Sequence, residues 1–451
     1  MLNPLIQEIL DAEQQRQSNT LDLIASENYT SKAVREAVGS IFMHKYSEGY
    51  PGTRYYEGND NIDDLENLCI KMVKKVFELP NEWGVNVQAL AGSNANLSVY
   101  NALLNPGDTI LSMYLPDGGH LSHGWSYTST KERTEEEFKV LQSENAYLGG
   151  KTKISIVSKI FKVIQYKVSK ETNLFDYDSI ERLAMEHKPK LIVTGGTAYV
   201  RDIDYKRISE ITKKINAYYL ADVAHEAGLI AGKVLSSPIG IADVVTFTTH
   251  KTLRGPKGAV ICAKGELIDI INKAVMPGFQ GGPHNGTIAG ITQCLFEADT
   301  EEFKTYSEQI IKNAKAMATR FNQLGYRLIT NGTDKHSLLI DLTNKGISGK
   351  YASYALNQAG IVSNMNTIPF ETKSPLNPSG IRLGTPSITT RGLKEEECIK
   401  VANLINSVIE VGASLNVESF DEFKGKLNES KLLDPIRLEV LSICKTFPFK
   451  D

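Results

Sequence analysis

The chain has 451 residues, of which 41% are hydrophobic and 23% charged, and 50 basic side chains against 53 acidic ones leave a formal net charge of −3. That length holds two or three domains with ample core, and the balanced charge argues against a nucleic-acid or anionic-membrane partner and for a small-molecule one. The five cysteines, Cys69, Cys262, Cys294, Cys398 and Cys444, form no CxxC pair, so neither a metal site nor a disulfide framework is expected and a reducing, cytoplasmic location fits.

In chain order, "MLNPLIQEILDAEQQRQ" predicts an amphipathic helix without the cationic and apolar regions of a signal peptide, and no apolar run reaches the ~18–20 residues a bilayer span needs. Residues 1–53, a helix followed by Ser-, Asn-, Gly- and Tyr-rich loops, read as an arm. "LAGSNANLSVYNALLNPGD" predicts a helix starting near Gly92-Ser93 and ended by Pro106-Gly107. "TILSMYL", "KLIVTGG", "AYYLADV", "DVVTFTT" and "GAVICAK" predict buried strands. Between them "DSIERLAMEH" and "YKRISEITKKINA" carry helical periodicity, with Ile208, Ile211 and Ile215 on one face of the second. This alternation predicts an α/β large domain over 54–299 with a mostly parallel sheet covered on both sides. A charged, polar stretch at 127–155 reads as a surface excursion, with a lid or an oligomer contact as the alternative. After about residue 300 a long helix, short strands and further helices predict a smaller α+β domain over 300–451.

Five features carry chemistry. Lys251 follows a buried strand in "VVTFTTHKTLRGPKG", where the sheet's ligand crevice lies; burial or a nearby cation frees a lysine amine for Schiff-base formation, although a lysine snorkelling from a turn has the same pattern. Asp222 ends another strand, followed by His225; a carboxylate there can keep a pyridine nitrogen protonated or simply cap a helix. Gly92 and Ser93 at a helix start can leave N–H groups free for a phosphate. His120 in "DGGHLSHG" can lay its ring on a flat cofactor. Arg382 in "SGIRLGT" can clamp a carboxylate. Each is weak alone; together they make the inventory for pyridoxal phosphate chemistry on an amino acid.

With these residues in view, the chain resembles the serine hydroxymethyltransferase family along nearly its whole length, through "LIASENYTS", "HKYSEGYPGTRYYEG", "PDGGHLSHG", "DVAHEAGLIAG", "TTHKTLRGPKG", "PGFQGGPH" and "SGIRLGTP" in order. The resemblance implies pyridoxal-phosphate fold type I, aspartate-aminotransferase-like, with a seven-stranded sheet in the large domain. By matching position it makes Lys251 the Schiff-base lysine, Asp222 the pyridinium partner, His120 the ring-stacking histidine and His225 the one near O3′. It adds Gly92, Ser93 and Thr197 as cofactor contacts and Thr248 to the catalytic group. Arg382, Ser26 and Tyr56 become substrate contacts, and Glu48 the acid/base group. Tyr55, Leu115, Leu121 and Asn366, with Glu48, become folate contacts. Tyr46, Glu48, Tyr55, Tyr56, Gly281 and Gly282 come from the partner subunit in that family, which implies a homodimer with shared active sites. The implied reaction moves the serine hydroxymethyl carbon to tetrahydrofolate. A folate-independent aldolase of β-hydroxy amino acids such as threonine, or an α-methylserine hydroxymethyltransferase, would use the same lysine, aspartate and arginine. No metal is implied. The sequence departs from the family at Ala91 and Asn94 in the phosphate loop, at Glu57 in place of a glycine and at Phe247 in place of a threonine; Phe247 alternates with Thr248 and is expected on the other face of the strand.

Overall fold

The structure, a computed structural model, describes residues 2–128 and 146–449. The chain divides into two compact units, Thr30–Ser307 and Met1–Tyr29 with Glu308–Asp451.

The larger unit is built on one sheet. Its strands are β1 (Trp83–Asn86), β2 (Thr109–Met113), β3 (Ala146–Tyr147), β4 (Lys162–Tyr166), β5 (Leu191–Thr194), β6 (Tyr218–Asp222), β7 (Val244–Thr248) and β8 (Ala259–Lys264), in the order β1-β8-β7-β6-β5-β2-β4-β3. The five from β7 to β4 run parallel, and β8, β1 and β3 are antiparallel to their neighbours. Among the described residues eight strands stand where seven are expected, because the two-residue β3 pairs onto the edge with Tyr166 and Gln165. All five residues of β7 and all four of β5 are buried, as they must be in a parallel sheet covered on both faces. Helix α1 (Asp60–Val76) buries Ile62, Cys69, Met72 and Val73. Helix α2 (Gly92–Leu103) buries Ala95 and Val99. Helix α3 (Tyr205–Ile215) is capped by the Asp204 carboxylate and buries Ile208 and Ile211, while Ile215 is half-buried.

The polar excursion expected at 127–155 falls mostly outside the described residues; at its margins Ser126–Tyr127 pairs antiparallel with Thr152–Lys153.

The smaller unit holds an antiparallel sheet of β9 (Arg327–Leu328), β10 (Ser337–Asp341), β11 (Asn364–Asn366) and β12 (Gly380–Gly384), in the order β9-β10-β12-β11. Residues 1–53 are not a single arm. Leu21–Asp22 pairs in parallel with Ile361–Val362, and Leu21 and Leu23 are wholly buried in the core with Ile340, Leu356, Ile381 and Val401. Residues 30–53 group instead with the sheet unit, and the second boundary falls after Ser307, inside the helix Glu301–Gln323. All five cysteines are free and buried, and no helix among the described residues is long and apolar enough to cross a membrane.

Candidate active site

Parallel strands present their C-terminal ends to the crevice where ligands bind in open α/β sheets. Asp222 is the last residue of β6 and pairs in register with Thr246 of β7. Gly195, just beyond β5, keeps the backbone tight here: with φ +110°, an added Cβ would stand 1.9 Å from the Asp222 carbonyl oxygen. The Asp222 carboxylate is buried. Its Oδ1 accepts the Ala224 N–H at 3.0 Å. Its Oδ2 accepts the Asn96 amide at 2.8 Å and lies 2.9 Å from His123 Nε2. Burial pushes this carboxyl's pKa up, but the hydrogen bonds from His123 and the Asn96 amide outweigh it and hold the group below the usual carboxylate range. Asp222 is therefore a buried, ionised carboxylate at neutral pH.

Asn96, on α2, donates its second N–H to Ser122 Oγ at 2.9 Å and accepts Thr246 Oγ1 at 2.7 Å. His120 Nδ1 accepts the Ser122 backbone N–H at 3.2 Å and lies 2.7 Å from Ser122 Oγ. Ring atoms of His120 and His123 and the Asp222 carboxylate lie within 4.8 Å of one another, and these hydrogen bonds account for their convergence.

Lys251 lies three residues past β7 and is buried. Burial, then the charges of Lys251 and Lys257, push the neighbouring His250 down to about 4, so its imidazole is neutral at pH 7. Thr248 Oγ1 donates to the Ala224 carbonyl at 3.3 Å. Gly92 opens α2 directly over this strand end: a Cβ there would stand 2.8 Å from the Thr248 methyl. Ser93 is the next residue, and Ala91, at the cap position, supplies no side-chain bond to the helix start. His225 is buried, and its carbonyl accepts Thr252 Oγ1 at 2.8 Å. Thr197 bonds the Gly118 carbonyl through its N–H (2.7 Å) and the Gly119 carbonyl through Oγ1 (2.8 Å), fixing the turn that leads to His120. Leu115 and Leu121 open the short turns Leu115–Asp117 and Leu121–His123 on either side of that glycine pair. Phe247 faces away from these groups: its ring packs 4.5 Å from that of Phe77, at the end of α1, while Thr246 on the opposite face reaches Asn96.

A second cluster comes from the segment after residue 44. Tyr46 Oη donates to Glu48 Oε1 at 3.3 Å, and the Glu48 charge raises the tyrosine's pKa. Cβ atoms added at Gly281 and Gly282 would stand 2.9 Å from Glu48 Oε1 and 3.4 Å from the Tyr46 ring, so this glycine pair lies flat against those side chains. Tyr56 meets Tyr46 edge-on at 5.3 Å, and Glu48 and Tyr55 line a recess with Met276, Pro277 and Phe279. The cluster is pinned by Arg54, whose buried guanidinium bonds Asp63 (2.8 Å), Glu66 (2.6 Å) and the carbonyls of Ser47 and Gly49. Glu57 is exposed, and its carbonyl accepts Lys45 Nζ.

In the smaller unit Arg382 is buried at the centre of β12, where Nε donates to Asn364 Oδ1 at 3.3 Å. Burial pulls its guanidinium down to about 10, which leaves it charged at neutral pH. The Gly384 N–H bonds the Leu23 carbonyl at 2.7 Å, and Ala25 presses on Gly384, so the segment ending in Ser26 runs beside the end of β12. Asn366, on β11, donates to the Thr367 carbonyl at 2.7 Å.

Sequence reading left Asn96, Ser122, His123 and Arg54 without a part. Asn96 offers a signal, a polar residue beside Ala95 on the buried stripe of α2. His123 offers another, a second histidine three residues after His120.

A model of the family described as "Serine hydroxymethyltransferase" matches residues 1–405. The cytosolic serine hydroxymethyltransferase of Saccharomyces cerevisiae is 44% identical over 99% of this chain and 95% of its own length. The mitochondrial enzyme of Schizosaccharomyces pombe is 45% identical over 95% of this chain and 86% of its own length. The serine hydroxymethyltransferase of Desulfotalea psychrophila is 44% identical over 99% and 94%.

Proposed function

The chain belongs to the serine hydroxymethyltransferase family, and we propose that it reversibly transfers the hydroxymethyl carbon of serine to tetrahydrofolate, giving glycine and 5,10-methylenetetrahydrofolate. The family depends on pyridoxal 5′-phosphate, which when bound supplies an electron sink as the serine Cα–Cβ bond breaks. The observation that carries the reading is the buried, ionised Asp222 at the end of β6, with the buried Lys251 just past the end of adjacent β7. These residues fit the cofactor: a buried carboxylate suits a protonated ring nitrogen, and a helix start without a side-chain cap suits a phosphate.

Each residue then has a task. Lys251 Nζ would hold the cofactor aldehyde, Asp222 would keep its ring nitrogen protonated, and His120 would pack against the ring. His225 and Thr197 would orient it, Thr248 at the end of β7 would support its site, and Gly92 and Ser93 would take its phosphate. Arg382 binds the substrate carboxylate, with Ser26 and Tyr56 in the substrate subsite. Glu48 moves the proton at the serine hydroxyl oxygen or at folate N10. Tyr55, Leu115, Leu121 and Asn366 hold the folate.

The assembly in this reading is a homodimer in which Tyr46, Glu48, Tyr55, Tyr56, Gly281 and Gly282 serve the partner's site. The exposure of Tyr46 and Tyr55, large rings that a partner subunit would cover, supports it. We place the protein in the cytoplasm; its five unpaired cysteines fit a reducing compartment, and its relatives include cytosolic and mitochondrial enzymes. The test is serine cleavage by the purified protein with and without tetrahydrofolate. A rate that rises with folate, with the carbon recovered as methylenetetrahydrofolate, is expected. A rate indifferent to folate would favour the aldolase.

A further inference from the structure

The carboxylate of Asp222 is fixed by two side chains to which nothing above gives a part in the reaction. His123 Nε2 lies 2.9 Å from Oδ2, and His123 is wholly buried. Its other ring nitrogen, Nδ1, is also buried and has no hydrogen-bond partner among the described residues. The ionised Asp222 can only accept, so Nε2 carries a proton, and a second proton at Nδ1 would make a buried imidazolium whose new donor has no acceptor, which costs more than a neutral ring with one nitrogen unpaired. The proton must sit on Nε2, donating to Asp222, and the ring carries no charge. An imidazolium would cancel the charge of Asp222; a neutral donor orients the carboxylate and leaves the charge in place.

Asn96 works from the other side. Its two N–H groups go to Asp222 Oδ2 and Ser122 Oγ, and its carbonyl is filled by Thr246. The amide therefore has one orientation. Because His120 Nδ1 already accepts the Ser122 backbone N–H, the Ser122 hydroxyl donates to the same nitrogen. The chain Thr246, Asn96, Ser122, His120 thus runs in one direction and leaves the His120 proton on Nε2. Asn96 ties the orientation of His120 to that of Asp222.

We propose that Asn96 and His123 are positioning residues that hold Asp222 as an oriented, uncancelled anion, with His123 a neutral imidazole protonated at Nε2, and that Asn96 also sets the tautomer of His120. The proposal rests on the cofactor reading above and adds to it which residues make Asp222 competent. Three variants test it: His123→Phe keeps a ring and removes the donor, His123→Gln keeps a donor near the Nε2 position, and Asn96→Asp exchanges donors for a like charge of the same shape. Pyridoxal phosphate affinity of the apoprotein and the visible absorbance of the loaded protein are read across pH, with the protein's thermal transition as a control for folding. His123→Phe and Asn96→Asp are expected to weaken cofactor binding about tenfold or more, the loss of a charge-assisted bond, and to alter the pH profile of the absorbance; His123→Gln should restore most of both. Nitrogen-15 shifts of the wild-type histidines, with the His123 signals identified by their loss in His123→Gln, should show a bare Nδ1 and a protonated Nε2. His123→Phe binding with wild-type affinity and profile, His123→Gln failing as badly as His123→Phe while folded, or a His123 protonated at Nδ1 would each overturn the proposal. Wild-type protein that takes up no pyridoxal phosphate would overturn the cofactor reading, and this proposal with it.

Discussion

Replacing Phe247 by the threonine usual in the family separates the two faces of the strand that leads to Lys251. Phe247 is 1% exposed and its ring centroid lies 4.5 Å from that of Phe77. Truncating a buried phenylalanine costs about 3–5 kcal/mol, and the aromatic pair adds roughly 0.5–1.5 kcal/mol. Threonine keeps a γ-methyl, which returns roughly 1 kcal/mol, but buries a hydroxyl, which costs at least as much, so the net loss should be about 4 kcal/mol. Urea unfolding followed by hydrogen exchange of β6 to β8 should show that loss in the larger unit. Cofactor affinity and the visible absorbance of the loaded protein should not move, because on this strand Thr246 and Thr248, not Phe247, face Asn96 and Gly92. A Phe247→Thr variant of unchanged stability but altered cofactor binding would refute this division of the strand into a cofactor face and a packing face.

Arg54→Ala should cost about 3–5 kcal/mol, since it strands the buried Glu66, whose carboxyl burial already pushes up; limited proteolysis between residues 44 and 58 should become faster. Burial, then the nearby Glu27 charge, push the Asp22 carboxyl up to about 7 from its ordinary 3.8. A raised carboxyl pKa favours the folded state fully below about pH 4 and loses that contribution as pH rises through 7, so the urea midpoint of the smaller unit should fall from pH 5 to pH 8 and Asp22→Asn should flatten the decline. Mixing the inactive Lys251→Ala and Glu48→Gln variants under conditions that exchange subunits should restore roughly a quarter of the wild-type sites, as random pairing in a shared-site dimer requires; no recovery in mixed dimers would place Glu48 in its own subunit's site.

The parallel strands were legible because both-face burial leaves continuous apolar runs, and β6 and β7 fall where "AYYLADV" and "DVVTFTT" place them. The two-residue β3 has too few residues to make a pattern. The grouping of residues 1–29 with the C-terminal unit rests on Leu21 and Leu23 pairing with a segment more than 300 residues away, and local periodicity holds no such information. Lys251 and Asp222 stood out as charged residues where buried strands end. Asn96 and His123 did not, because their meaning lies in hydrogen bonds across the fold, and a buried asparagine on a helix reads in sequence like any other polar residue.

Lys251, the residue proposed to carry the cofactor, can be identified chemically. Borohydride reduction of the protein loaded with pyridoxal phosphate, followed by proteolysis and mass analysis, fixes the cofactor to whichever lysine holds it. The predicted result is a single pyridoxyl-modified peptide containing Lys251, with the modification and the visible band both lost in Lys251→Ala. A modification on another lysine, or loaded wild-type protein that acquires none, would contradict the assignment of Lys251.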